Sequence, residues 1–170
     1  ASAAVDTCTW VGGTDSNFST AANWSCDVDG TAIPENGDTL EFDTTPLIDS
    51  VTLNNDLSNL DIAGINLTGS NGSFYGYLIE GNDLILSGDI TGDMTDQADG
   101  SLTIDLNVVL GSDVTYSVPY SAVYFGDINT TNNLDLGAFN LSYESSFEEC
   151  ANMDIRSSIS GSGNITSSTG

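Results

Sequence analysis

Apolar and polar residues alternate along most of this chain, in short runs cut off by turn residues. Asp38-Thr-Leu-Glu-Phe-Asp43 alternates strictly, which predicts a half-buried strand with Leu40 and Phe42 inward. Ser101-Leu-Thr-Ile-Asp-Leu106 and Asp113-Val-Thr-Tyr-Ser-Val118 read the same way, one face dry and the other solvated. Thr9-Trp10-Val11 predicts a short strand ended by Gly12-Gly13, and Ser50-Val-Thr-Leu53 one that ends at Asn54-Asn55. Leu57, Leu60, Ile62, Ile65 and Leu67 recur every two or three residues. Tyr75-Gly-Tyr-Leu-Ile79 predicts a strand closed by Gly81-Asn82; Leu84-Ile85-Leu86 follows, then Gly88-Asp-Ile-Thr-Gly92. Asp29-Gly30, Pro34-Glu-Asn-Gly37 and Gly69-Ser-Asn-Gly72 supply turns. Tyr143 to Asn152 lacks glycine and alternation and predicts a loop or a single helical turn.

Weak repetition accompanies the alternation. Residues 83–88 are echoed at 133–137, and Gly88-Asp-Ile-Thr-Gly92 at 126–130, with a third occurrence at 160–166; the period is irregular, roughly 20–45 residues. Short strands with a thin apolar supply suit an all-β solenoid. Each coil adds a few Leu, Ile or Val to one narrow column, and asparagine at the bends can form ladders between coils. A β-sandwich is the alternative, because regular short strands with turn signals mark it too.

The first fifth of the chain differs from the rest. Residues 1–46 hold both tryptophans and two of the three cysteines. They predict an N-terminal capping region, with 47–170 as solenoid coils that could continue past the covered chain. The first coil of a solenoid exposes the end of its core. Trp10, Trp24 and Phe42 would cover it, each indole N–H finding a carbonyl at the edge. The functional alternative for the tryptophans is a sugar-stacking platform. Cys8 and Cys26 flank the two tryptophans, and a disulfide between them would contribute about 3 kcal/mol by loop entropy. Cys150 is left over: a small buried hydrophobe, a bond to another chain, or a partner for one of the first two.

Trp10-Val-Gly-Gly13, Asn17-Phe-Ser-Thr-Ala-Ala-Asn-Trp24 and Pro34-Glu-Asn-Gly-Asp-Thr-Leu-Glu-Phe42 together resemble the start of autotransporter-type passenger domains and other bacterial surface proteins with β-helical repeats. Ile159-Ser-Gly-Ser-Gly-Asn-Ile165 resembles a recurrent coil of such passengers. The resemblance implies a right-handed parallel β-helix displayed outside the cell, and brings no catalytic residues with it.

Charge narrows the choice of partners. Twenty-five acidic residues stand against one basic residue, Arg156, for a net charge of −24, with no histidine. Such a chain cannot neutralise phosphates, which excludes nucleic acid, and anionic membrane surfaces are disfavoured. No apolar run approaches the ~18 residues of a membrane span. The opening Ala1-Ser-Ala-Ala4 fits a mature chain after signal-peptide removal, and an engineered chain would look the same.

Chemistry-bearing patterns are few. A histidine-based triad, a phosphate cradle and a zinc site all lack their residues. Glycoside hydrolysis needs only two carboxylates. Asp89, Asp93, Asp96 and Asp99 form the densest acidic group, and Glu148-Glu149 another, but 25 acids produce neighbours by chance. Asp93, Asp96 and Asp99, ahead of Gly100, could hold Ca2+ in one loop, without matching an EF-hand. Asn17, Asn23, Asn66, Asn71, Asn129, Asn140 and Asn164 begin glycosylation sequons. The function expected is that of a non-enzymatic extracellular structural or adhesive segment, needing no cofactor beyond possible Ca2+ and binding host or neighbour cell-surface molecules. A self-assembling subunit of an extracellular filament or sheath is the alternative, by end-to-end or edge association. A carbohydrate-binding or glycoside-cleaving β-helix is the weaker third.

Overall fold

The computed structural model describes residues 5–26, 32–45, 47–69, 75–94, 100–145 and 152–169. Three strands open the fold: β1 (Thr7–Trp10), β2 (Trp24–Cys26) and β3 (Thr39–Asp43). Five rungs of three strands follow. The first is β4 (Val51–Asn55), β5 (Leu60–Ile62) and β6 (Gly64–Gly69), and the second β7 (Tyr77–Gly81), β8 (Leu84–Leu86) and β9 (Ile90–Met94). The third is β10 (Ser101–Ile104), β11 (Val108–Leu110) and β12 (Val114–Ser117), and the fourth β13 (Ala122–Phe125), β14 (Asn133–Asp135) and β15 (Leu141–Ser145). The last is β16 (Asn152–Ile155), β17 (Ser158–Ser160) and β18 (Ile165–Thr169).

Equivalent strands of successive rungs pair side by side in three sheets, ordered β18-β15-β12-β9-β6-β3-β1-β2, β16-β13-β10-β7-β4 and β17-β14-β11-β8-β5. Every pairing between named strands is parallel except β1 with β2. The fold is a β-solenoid, with four full turns carrying the chain from first rung to last. A sandwich of antiparallel sheets does not fit it.

Alternation positions the core. Leu60, Leu84, Val108, Leu134 and Ile159 stack in register in one sheet, and Leu53, Ile79, Ile104, Phe125 and Ile155 in the next. Leu40, Ile65, Ile90, Tyr116 and Tyr143 form the matching column of the long sheet. Each aliphatic side chain so buried contributes roughly 1.5–3 kcal/mol. The stacking distributes that burial over strands of three to six residues, none of which would be stable alone.

The repeat is not a fixed length. Asn107 reaches back 24 residues to Asp83 and Asn140 reaches back 27 to Asp113, whereas Ser121 contacts Gly100 only 21 residues earlier. Register is kept by the strands, and the corners absorb the difference. Residues 83–88 and 133–137 do occupy equivalent places, β8 and β14 lying in one sheet. Residues 88–92 and 126–130 do not: the first leads into β9, the second is the turn after β13. Gly-Asp is a generic turn dipeptide that fits more than one corner. Two boundaries also move. Asn54-Asn55 lies inside β4, because Asn55 turns into the corner, fully buried, and donates to the Asn82 carbonyl at 2.9 Å. Of the predicted loop at 143–152, Tyr143 to Ser145 belong to β15 and Asn152 opens β16, while 146–151 lie outside the described residues.

With almost no cations, the carboxylates are satisfied from the rung above. Asp83 accepts from the Asn107 amide at 2.9 Å, and Asn107 Oδ1 in turn accepts from the Asn133 N–H at 2.9 Å. Asp113 accepts from Asn140 at 3.1 Å, and Asn140 from Asn164 at 3.0 Å. Asp61 accepts from Ser87 at 2.6 Å, and Asp105 from Asn132 at 2.6 Å. Among the described residues one ion pair occurs, Arg156 with Asp154 at 2.9 Å.

Leu84→Ala should therefore lower unfolding free energy by about 2–5 kcal/mol and Asn107→Ala by about 1 kcal/mol, measured by denaturant titration. Equal costs would contradict a fold held chiefly by its aliphatic column. Alkaline pH probes the same core. Burial, aided by Asp43, pushes the Tyr77 phenol up to about 12, and burial raises Tyr116 further, with Tyr143 and Tyr124 adding to it. Both hydroxyls donate to carbonyls at 2.6 Å, of Asp43 and Ser121 respectively. The folded phenols hold their protons more tightly than unfolded ones, whose pKa is about 10. Their stabilising contribution is complete below pH ~10 and is lost as pH climbs toward ~12. The denaturation midpoint should fall across that window, and less steeply in Tyr116→Phe; a flat profile would refute the assignment.

Candidate functional site

The N-terminal end of the solenoid is covered on all three sides. On the long sheet, β1 pairs in parallel with β3, and β2 doubles back antiparallel beyond it, Cys8 opposite Cys26 and Trp10 opposite Trp24. The outer edge of β4 is met by residues 16–18: Asn54 N–H donates to the Ser16 carbonyl at 2.8 Å and Phe18 N–H to the Asn54 carbonyl at 3.0 Å. The edge of β5 is met by the 34–38 turn, where Gly37 N–H donates to the Asp61 carbonyl at 2.7 Å and Ala63 N–H to the Asp38 carbonyl at 2.8 Å. Among the described residues the edge left at this end is that of the three-residue β2, the last strand of the long sheet.

Aromatic rings close the column behind these edges. Trp10 and Trp24 meet edge to face at 5.0 Å, as do Phe18 and Trp24; Trp24 then passes to Phe42 at 6.2 Å and Phe42 to Tyr77 at 5.1 Å. The Trp24 indole N–H donates to the Phe18 carbonyl at 3.0 Å. Both indoles are buried, 7% and 6% exposed, with other rings against them, so neither offers a face for a sugar to stack on. The Cys8–Cys26 disulfide, 2.04 Å long, ties the antiparallel pair together.

Two polar residues organise the cap. Asp38 is buried, with its carboxylate accepting from the N–H of Asp6 at 3.1 Å and of Glu35 at 2.7 Å. Asp15 accepts from the Asn17 N–H, Asn23 amide and Thr20 hydroxyl, each at 2.9 Å. These bonds, the Asn17 N–H first, hold its carboxyl below the ordinary value of 3.8.

The other predicted positions scatter. Asp93 lies in β9, while Asp96, Asp99, Asn71, Cys150 and Glu148-Glu149 lie outside the described residues. Asp89 is occupied by the Thr115 N–H at 2.7 Å. Among the described residues no three acids or cysteines gather as metal ligands. Asn23 is buried, its amide donating to Asp15 and to the Asn17 carbonyl, so a glycan there would require the cap to open. Asn17, Asn66, Asn140 and Asn164 are engaged with Asn54, Glu41, Asp113 and Asn140 respectively, whereas Asn129 is exposed on a turn. Two shallow depressions mark the outside. One of about 480 Å³ runs past Ser58, Asn59, Asn82, Asp83 and Val109; the other, about 440 Å³, past Pro34, Glu35 and Leu57. Each contains a single carboxylate.

The C-terminal end is different. Ile159 and Ile165 continue the inward columns of Leu134 and Leu141, yet are 52% and 39% exposed, and Met153 and Ile155 are only partly buried. Among the described residues no strand pairs beyond β16, β17 or β18.

The class defined is a disulfide-capped β-solenoid. No protein-family model, curated protein or solved structure matches the chain. The β-solenoid that the resemblance of residues 10–42 implies is present. The disulfide indicates a non-reducing environment, and among the described residues no helix is long and apolar enough to cross a membrane.

Phe18 escaped the sequence reading because it sits in a polar stretch, Asp15 to Ala22, without alternation. Its only signal was being the sole large apolar residue there. If the cap closes the column, Phe18→Ala or Trp24→Ala should cost about 3–5 kcal/mol, and Cys8→Ala with Cys26→Ala about 3 kcal/mol, in denaturant unfolding. Losses below about 1 kcal/mol would show that the cap is ornamental.

Proposed function

We propose that the chain is a non-enzymatic structural or adhesive segment of a protein that works outside the cell. The observation that carries this reading is the covered N-terminal end over an uninterrupted apolar column. The tryptophans, the disulfide and the buried acids all serve that cover, and the ladders hold the remaining surface. What is left outward is mainly polar and acidic, a surface for contacting host or neighbouring cell-surface molecules. Divalent cations would screen it, with Asp93 the described member of the expected Ca2+ group. A net charge of −24 argues against nucleic acid as partner. The carbohydrate-active alternative has less support, because Trp10 and Trp24 are buried in the cap and the two depressions described each hold one carboxylate among the described residues. An open-ended filament needs two complementary free ends, and at the N-terminal end the edges of β4 and β5 are already met by residues 16–18 and 34–38.

The test is incubation with a panel of polysaccharides, following reducing-end release, beside binding of the immobilised protein to intact cells. No release above buffer, with saturable cell binding, is expected. Glycan cleavage that Asp83→Asn or Glu35→Gln abolishes would overturn the reading. Melting temperature should rise equally with Mg2+ and Ca2+ at matched ionic strength; an excess for Ca2+ would mark a dedicated site rather than screening.

A further inference from the structure

One sheet of the solenoid carries an apolar patch on its outer face. Across β5, β8, β11 and β14, register sets Asp61, Ile85, Val109 and Asp135 in one row, alternating with the buried column. Two carboxylates thus bracket two β-branched aliphatic side chains, Ile85 half-buried and Val109 38% exposed. Beside the pair lies the depression of about 480 Å³, rimmed by Ser58, Asn59, Asn82 and Asp83. Strand propensity alone does not ask for aliphatic residues at these outward positions. Threonine meets it equally well, as at Thr103 in β10 and Thr115 in β12.

Each flanking carboxylate keeps one oxygen unspent. Asp61 Oδ1 accepts from the Ser87 hydroxyl at 2.6 Å and Asp135 Oδ1 from the Gly137 N–H at 2.9 Å, while neither Oδ2 takes a donor among the described residues. The chain's single base is engaged elsewhere, Arg156 being bonded to Asp154 of β16 and laid over Tyr124 of β13 in a different sheet. We infer that this row docks an extended cationic segment of a partner protein, with basic side chains at positions i and i+4 and an apolar one at i+2. The inference names the partner chemistry of the adhesive reading and rests on that reading for its setting.

Spacing selects the pattern. Neighbouring strands stand about 4.7–4.9 Å apart, so three steps from β5 to β14 separate Asp61 from Asp135 by about 14 Å. An extended chain rises about 3.3 Å per residue and turns alternate side chains to one face, which puts residues i and i+4 about 13 Å apart on that face. Laid along the solenoid axis, such a segment brings one cationic head to each carboxylate. Its middle side chain rests on Ile85 and Val109, and the apolar stems of lysine or arginine lie against the same pair. The net charge of −24 speeds the encounter with a cationic partner. A sugar is served less well, because the row holds no aromatic ring for it to stack on.

Fluorescence polarisation tests this on the 170-residue chain, with a labelled peptide containing Lys-Ser-Leu-Ser-Lys at about 0.15 M salt. Saturable binding is expected, weaker by about tenfold when the leucine is replaced by serine. Reordering the same residues to Lys-Lys-Ser-Leu-Ser should weaken it by about threefold or more. Asp61→Asn and Asp135→Asn should each weaken it by about threefold, and Val109→Lys by about tenfold through like-charge repulsion. Glu144→Gln removes one charge from β15 in another sheet and should change binding by about 1.5-fold at most. Circular dichroism checks each fold, and Val109→Lys reads the site without touching a ladder bond. No binding at millimolar peptide would overturn the inference. Equal binding of the reordered peptide, or equal loss in Glu144→Gln and Asp61→Asn, would also overturn it by marking general charge attraction. Saturable cell binding without peptide binding would sink this inference alone and leave the adhesive reading standing. Peptide binding without cell binding would support the site and count against the adhesive reading.

Discussion

The constraint on which this structure depends is that each strand must find a neighbour on both edges, in register, or leave backbone groups and core bare. Strands of three to six residues cannot form a stable sheet alone. Stacked in parallel, each inherits its register from the one below, and every inward side chain lands on the column already built. A slip of one residue would turn Leu, Ile and Val outward. The alternation in the sequence is therefore a register code, and corner length is free to vary as long as the code is kept.

The acidity of the chain follows the same logic. Carboxylates placed at corners and strand ends receive N–H and O–H donors from the next rung, as Asp83, Asp105 and Asp113 do. Lysine and arginine are not required to satisfy them. The arrangement also gives the ladders a direction: an acceptor-only residue at the base, asparagine relaying above it. At the cap the pattern turns inward, with Asp38 buried and held by two backbone N–H groups.

Much of this was legible in the sequence because it depends on near neighbours. Leu40 and Phe42 are fully buried as their alternation predicted, Cys8 and Cys26 are bonded, and the Trp24 indole finds its carbonyl. What escaped depends on contacts distant in sequence. Residues 16–18 lie along β4, more than thirty positions later, with one bridge at Asn17 and Asn54. Nothing local in Ser16-Asn-Phe18 signals an edge strand. Likewise β2 runs antiparallel to β1, with the Cys8–Cys26 disulfide and the Trp10–Trp24 contact across the pair. The strand at Ala122–Phe125 follows Pro119 and Tyr120 with little alternating context, and it is fixed by pairing with β10 and β16. The exposure of Ile159 and Ile165 could not be read from sequence at all, since both look like any other core positions.

The capped first strands and the last described rung can be compared in one experiment, native-state amide hydrogen exchange on this 170-residue chain at low concentration. The account predicts the slowest exchange in β3, β6 and β7 beneath the cap, and a decline through β13 and β15 to the fastest strand amides in β16, β17 and β18. Exchange as slow in β17 as in β6, or rapid exchange across β1, β2 and β3, would contradict it.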